Sequence, residues 1–545
     1  MRTSLLLCLV AAVGCAKAQT LPSRASGNPH SEAALTINGH RYTPQQSSDI
    51  VRARDFLNRA ATAARAIPDD PPRPPGEPRA YYDPPYGPEK REQSLAKIAE
   101  ADTEAGDLST AIQIAKLLGS GNAKDSLIEY LYVARFSTGT SGFALGAIAR
   151  SPLAEEAKES LLRQVALARA RAGDVQGALD FERALGNSAA DGEVLSAIAV
   201  AQAKAGDISG AMKTGMAIPH TPDNALAAIR SRLALAVAQE KARDHSASQD
   251  SFAMVLQFIA DTPALSGDRS VRGTVVDAQI EAGLIDGALA TARSIPFDPQ
   301  RDVGLVHVAV ARVRQGDIKI ALATVGEMRG ADSDLWRARS LAEIAKAQAA
   351  RGDKSGAREA FAHALRSVEH IPRPAIGNSR NSEAQAFAGW VRADALARIA
   401  QTQAQAGETA ASRTTFLEAD KEARSVLASG AMALSAVATR EAQAGLVKEA
   451  LEATAAIRIP AGVSRQQGWF NTGVFQGSTF FEIARSQGLR GEPSQAIGWI
   501  DKLNAPDLRA SALLGLAKGL LERAGAEPNQ DSIAEMELGP AASDP

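Results

Sequence analysis

Cysteine is almost missing from this 545-residue chain: the two present, Cys8 and Cys15, both stand near the N-terminus. Beyond Cys15, therefore, no disulfide, thiolate nucleophile or cysteine metal site can form. Aromatic residues make up 4% of the chain, so a core has to be built from aliphatic side chains and alanine. Alanine has the best helix propensity and lets helices approach closely, which points to an all-helical protein. Neither sign of charge dominates, since 60 basic and 62 acidic residues leave a net charge of −2. Without a basic surplus to neutralise phosphates, no nucleic acid is expected as partner. Histidine is sparse as well, at His30, His40, His220, His245, His307, His363 and His370. None of these has the HExxH or a comparable ligand spacing, so no metal is expected. The chain has no Gly-x-Ser-x-Gly elbow, phosphate loop or dinucleotide fingerprint in a strand–turn–helix setting. No catalytic residue and no cofactor are expected. After the N-terminus no apolar run is long enough for a transmembrane helix in the mature chain.

The N-terminus itself reads as an export signal. Arg2 supplies the positive charge, Leu5 to Gly14 a short apolar stretch, and Ala16-Lys17-Ala18 a small-x-small cleavage site. On that reading residues 1–18 are a signal peptide, Gln19 begins the mature protein, and the location is periplasmic or secreted. A second reading takes Ala12-Val13-Gly14-Cys15, which resembles a bacterial lipoprotein box with Ala where Leu is favoured. Cys15 would then carry a lipid anchor and the protein would be an outer-membrane lipoprotein.

Glycine, in contrast, recurs in one setting: Gly106, Gly139, Gly173, Gly206, Gly283, Gly316, Gly352, Gly407, Gly445, Gly491 and Gly525. Self-similarity at such a period marks a repeat array. Around Gly352, Leu341, Ile344, Ala345 and Gln348 fall on one helical face. Gly352 can end that helix in the left-handed conformation, and Asp353 or Ser355 can cap the next. Ala357, Ala360, Phe361 and Ala364 line the facing side of the second helix, which closes near Ile371-Pro372. Each unit is thus a helix, a tight turn and an antiparallel helix. The frame recurs at Leu95-Ile98-Ala99, Leu195-Ile198-Ala199, Leu305-Val308-Ala309 and Phe480-Ile483-Ala484, among others. One further unit carries Arg243-Asp244 in place of the turn glycine, for about 12 units in all.

These units resemble tetratricopeptide repeats, helical hairpins with two apolar residues and a small one on helix A, a Gly-Asp turn, and an early alanine on helix B. Leu341, Ile344, Ala345, Gly352, Asp353, Ala357, Phe361 and Ala364 match those positions. The resemblance covers residues 89–527 and implies a right-handed α–α superhelix, a solenoid of about 12 hairpins that binds a protein or peptide. Where the family favours Tyr on helix A, this chain mostly has Gln: Gln202, Gln239, Gln279, Gln348, Gln403 and Gln487. Buried amides need partners, so bonds across neighbouring helices are expected of them. The family's inner curve maps onto Glu100, Arg163, Arg171, Ser196, Lys204, Lys346, Gln401, Thr439 and Arg485, a mixed set suited to a polypeptide.

Outside the repeats, residues 19–48 read as a flexible linker, 49–88 as an N-terminal helix followed by a Pro-rich segment, and 528–545 as a disordered tail. Two units are widened, between Gly352 and Gly407 and between Gly445 and Gly491, and both collect aromatic and Arg residues. Arg380, Trp390, Arg465, Trp469, Phe470 and Phe475 are the candidate partner-binding residues; the same side chains could instead plug the gaps. The sequence reads as an exported non-enzymatic scaffold for protein or peptide partners. Two alternatives stay open: a lipid-anchored envelope-assembly lipoprotein and an accessory module of an envelope enzyme complex.

Overall fold

The computed structural model describes residues 35–37, 40–68, 87–119, 122–151, 154–186, 192–262, 265, 271–329, 333–371, 382–425, 430–457 and 472–526. A two-stranded antiparallel ribbon, β1 (Thr36–Ile37) and β2 (His40–Arg41), precedes 24 helices among these residues. The first helices are α1 (Pro44–Arg65), α2 (Gly87–Glu104), α3 (Leu108–Leu117), α4 (Asn122–Phe136), α5 (Ser141–Ala149) and α6 (Glu155–Arg171). There follow α7 (Val175–Leu185), α8 (Gly192–Lys204), α9 (Ile208–Met216), α10 (Ala225–Lys241), α11 (His245–Asp261) and α12 (Val271–Glu281). Next are α13 (Ile285–Arg293), α14 (Asp298–Gln315), α15 (Ile318–Gly326), α16 (Ser333–Ala350), α17 (Lys354–His370) and α18 (Ser382–Gln405). The last are α19 (Thr409–Ser425), α20 (Gly430–Gln443), α21 (Val447–Ala455), α22 (Thr472–Arg490), α23 (Pro493–Ile500) and α24 (Pro506–Arg523). From α2 onward they alternate as helix A and helix B of successive hairpins, so the protein is the expected all-α helical-repeat solenoid.

The turn chemistry explains the recurring residues. Every turn glycine, and Arg243 in its place, has positive φ. In all but the turn at Gly139, two backbone bonds close helix A in a Schellman motif. At Gly352 these are Gly352 N–H to the Ala349 carbonyl and Asp353 N–H to the Gln348 carbonyl, both 2.9 Å. In five hairpins the aspartate after the turn residue then caps helix B. Asp107, Asp174, Asp207, Asp244 and Asp353 each accept from a backbone N–H three residues on. In three hairpins that N–H belongs to a second glycine, Gly177, Gly210 or Gly356. A Cβ there would run into the capping aspartate and the polar side chain ending helix A. The alanine five residues past the turn is buried wherever it occurs, as at Ala111, Ala178, Ala288, Ala357 and Ala496.

The glutamines of helix A find their partners close by. They stand at the C3 position of the Schellman motif, so their side chains lie over their own turn rather than toward the next hairpin. Gln348 Nε2 donates to Asp353 Oδ2 at 3.0 Å. Gln239 Oε1 accepts from Ser251 Oγ at 2.7 Å, and Gln487 Oε1 from Trp499 Nε1 at 2.8 Å. The expected bonds across neighbouring helices are thus made by Gln239 and Gln487, to helix B of their own hairpin.

The chain divides into two compact units, one of Met1–Tyr132 with Leu434–Pro545 and one of Val133–Ala433. The first unit joins the two ends of the chain. Helix α24 packs on α22 along one side and on α1 and α2 along others, and is buried from Ala510 to Leu521 on nearly all faces. No described helix follows the turn at Gly525, and α1 lies where the missing helix B would be. It runs antiparallel to α24: Gln46 approaches Gly525, Asp49 faces Arg523 at 3.5 Å, and Arg59 meets Asp501, just before α24, at 2.6 Å. The last hairpin is therefore assembled from both ends of the sequence. Ile37 of β1 packs over Gly106, and Arg54 donates to the Ala105 carbonyl at 2.9 and 2.6 Å. The helix thus begins at Pro44, inside the segment read as a flexible linker, and a capping box between Thr43 and Gln46 starts it there.

In the second unit the same hairpins stack through apolar seams. Around the turn at Arg243, Ile229, Leu233, Val237, Phe252, Val255, Ile259 and Val275 form one buried cluster. The Pro-rich segment and the tail lie outside the described residues, as does the export signal.

Candidate functional site

In each unit the A helices carry a polar lane beside their apolar seams, several of its residues standing two, six or nine positions before the turn, as Glu104, Glu281, Arg485 and His307 do. Side chains in this lane reach from one A helix to the next. In the first unit Arg485 of α22 grips Glu522 of α24 through two bonds of 2.7 and 2.9 Å. Lys518 of α24 then reaches Glu104 of α2 at 2.6 Å. In the second unit Lys241 of α10 pairs with Glu281 of α12 at 2.8 Å, and Asp277 of α12 with His307 of α14 at 2.6 Å. Between α16 and α18, Lys346 donates to Gln405 at 3.3 Å and Arg339 to Asp394 at 3.1 Å.

The lane is partly desolvated, and its titrating groups show it. Burial holds Glu482 above the usual carboxylate range against the pull of Arg485, 3.1 Å away. Glu100 is raised chiefly by burial too, with Lys518 opposing and Glu104 adding. Burial first, then Glu104 and Glu100, raises the Tyr130 hydroxyl. His307 gains affinity for its proton from the Asp277 bond, which outweighs burial. Glu100 and Tyr130 make no hydrogen bond to other described residues. They stand beside the Lys518–Glu104 pair as the lane's unspent polar groups. An arrangement of alternating, mutually neutralised charges can bind polar backbone and mixed side chains. It offers no uniform field to a polyanion.

Of the residues expected from the sequence, Glu100, Lys346 and Arg485 lie in this lane. Ser196, by contrast, is buried and presents nothing. Phe475 and Trp390 are half-buried on α22 and α18, in different units. Arg380, Arg465, Trp469 and Phe470 fall outside the described residues. The pairing partners Glu104, Glu281, Glu522 and Lys518 escaped sequence reading. Glu104 and Glu281 share an offset from the turn but Glu522 and Lys518 do not, and which charge meets which depends on how hairpins stack.

No helix among the described residues is long and apolar enough to cross a membrane. No protein-family model matches the chain, and no curated protein matches it. Among solved structures it is similar to one described as a circular tandem repeat protein with novel repeat topology and enhanced subunit contact surfaces. That likeness has 12% identity and a TM-score of 0.24, over 82% of this chain and 97% of the other. At this TM-score it carries no argument about partner or activity.

Proposed function

We propose that the protein is an exported, non-enzymatic scaffold that binds a protein or peptide partner along its A-helix lanes. The observation that supports this most is the lane itself, in which half-buried charges are paired from one A helix to the next while Glu100 and Tyr130 stay available. Helical repeats suit this role because each hairpin adds one more rung to an extended surface. Export rests on the N-terminal pattern of Arg2, the apolar stretch and Ala16-Lys17-Ala18.

Position-resolved photo-cross-linking tests the reading. A photoreactive residue is placed at Glu100 or Gln401 on A helices, or at Lys213 on the B helix α9, and irradiated in the native cell. Discrete polypeptide adducts from Glu100 and Gln401 but not Lys213 are the expected result. Adducts from Lys213 alone, or none from either A-helix site, would overturn it. Mass spectrometry of the mature N-terminus settles the route: Gln19 is expected, and an acylated Cys15 would replace free export by a lipid anchor.

A further inference from the structure

In the second unit, the hairpin at Gly283 lacks a capping aspartate while keeping the glutamine and the second glycine that accompany it at Gly206 and Gly352. In the standard turn an aspartate carboxylate serves two donors. Asp353 Oδ1 accepts from Gly356 N–H at 2.8 Å, and Oδ2 accepts from Gln348 Nε2 at 3.0 Å. Asp174 does the same for Gly177 N–H at 2.9 Å and Arg169 Nη1 at 2.6 Å. The turn at Gly283 keeps both Schellman bonds, at 2.8 and 3.0 Å. It also keeps Gln279 at the end of helix A and Gly287 early in helix B. The capping position, however, holds Leu284, and α13 has no side-chain cap. Leu284 packs on the neighbouring apolar cluster.

Both donors are thereby left without an acceptor. Gln279 is only 6% exposed; its buried Oε1 has no partner, and its Nε2 makes no hydrogen bond among the described residues. Its nitrogen stands 3.4 Å from where a Cβ on Gly287 would lie, on the side from which Gln348 serves Asp353. Over this gap opens a cavity of about 480 Å³ bounded by Phe252 and Leu256 of α11, by Gln279, and by Leu284, Ile285 and Gly287. The volume is that of a small-molecule site. The one carboxylate on its rim, Asp286, is 93% exposed and already paired with Arg312.

We infer that this cavity binds a free carboxylic acid with a short apolar tail, its carboxylate taking the place that aspartate holds in the aspartate-capped hairpins. One oxygen accepts from Gly287 N–H and the other from Gln279 Nε2. The positive end of α13 favours the anion. Phe252, Leu256 and Ile285 receive the tail. This activity is independent of the polypeptide partner proposed above and goes beyond it.

The test titrates the full mature chain with octanoate by calorimetry, against octanamide and acetate. Octanoate has both head and tail, octanamide has the tail without the charge, and acetate the head alone. Octanoate is expected to bind at least tenfold more tightly than either. Leu284→Asp places the protein's own carboxylate in the gap, and is expected to raise Tm while abolishing octanoate binding. Gln279→Leu is expected to weaken binding at least fivefold with helicity unchanged. Failure of octanoate to bind, equal binding of octanamide, or undiminished binding by Leu284→Asp or by folded Gln279→Leu would each overturn the inference. None of these outcomes bears on the cross-linking pattern.

Discussion

At the scale of single residues, Asp102 is the most exposed to a change of pH, although it is 1% accessible. It holds the C3 position that glutamine fills in other hairpins, and neither carboxylate oxygen has a partner. Burial, helped by the nearby Asp107 and opposed by Arg54, pushes its pKa up to about 7. Unfolded, the same group titrates near 3.8. Between these values the folded state holds a proton that the unfolded state has lost. The contribution of Asp102 to stability is therefore full below about pH 4 and falls as pH rises toward 7. Asp102→Asn is expected to flatten that slope and to raise stability at pH 8, on the order of several kcal/mol. Urea denaturation at pH 5 and pH 8 checks it; an unchanged slope would show that the carboxyl ionises without cost. Arg243 poses a simpler case. It sits at φ 64° where the other turns use glycine, a conformation that costs an L-residue roughly 1–2 kcal/mol. Arg243→Gly should move the urea midpoint upward, by roughly 0.5–1 kcal/mol once glycine's own entropy is counted.

At the scale of elements, the closest helix pair is α22 against α24. A Cβ on Gly515 would strike the Phe481 carbonyl, and one on Gly519 the Arg485 carbonyl. Glycine to alanine inside a helix ordinarily stabilises by up to ~1 kcal/mol. Here the obstacle is backbone, which cannot swing aside, so Gly519→Ala should cost roughly 1–3 kcal/mol instead. Gly498, exposed on α23 with nothing within 4 Å of a Cβ, is the control. Gly498→Ala should be neutral or stabilising in the same melting experiment, and equal effects at the two sites would refute the packing argument. Hairpins of this kind were legible in the sequence because their determinants are local: Leu341, Ile344 and Ala345 precede Gly352 at fixed offsets, and Ala357 follows it. Which residues the glutamines meet was not legible, because their partners are decided by the C3 geometry of the turn, which spacing alone does not reveal. Gly356 and Gly177 were overlooked for the same reason, since their need arises only once the aspartate and the C3 side chain are placed together. The Leu284 gap was equally invisible. Its apolar side chain looks unremarkable until Gln279 is seen without an acceptor.

At the scale of the whole molecule, the question is what the two ends of the chain do. The amphipathic pattern of Ile50, Leu57, Ala60 and Ala64 announces a helix but not its partner, which lies more than 400 residues away at α24. That partner was unreadable because the seam joins segments with no shared local signal, only complementary apolar faces and pairs such as Asp49 with Arg523. If α1 truly serves as helix B of the last hairpin, the connection between α1 and α2 is dispensable and a connection between α24 and α1 is permitted. Leu35 N–H bonds to Ser47 Oγ at 2.9 Å, and Gln46 approaches Gly525, so residues 35 and 526 are near enough for a short Gly/Ser linker. A circular permutant joined there and opened between residues 68 and 87 should fold with unchanged helicity and a Tm within a few degrees of the parent. A second chain lacking residues 1–67 uncovers the apolar face of α24 and should melt earlier or associate. If the truncated chain matched the parent in Tm and stayed monomeric, α1 would be an appendage. If the permutant failed to fold while the truncated chain lost stability, α1 would be needed only through its tether to α2.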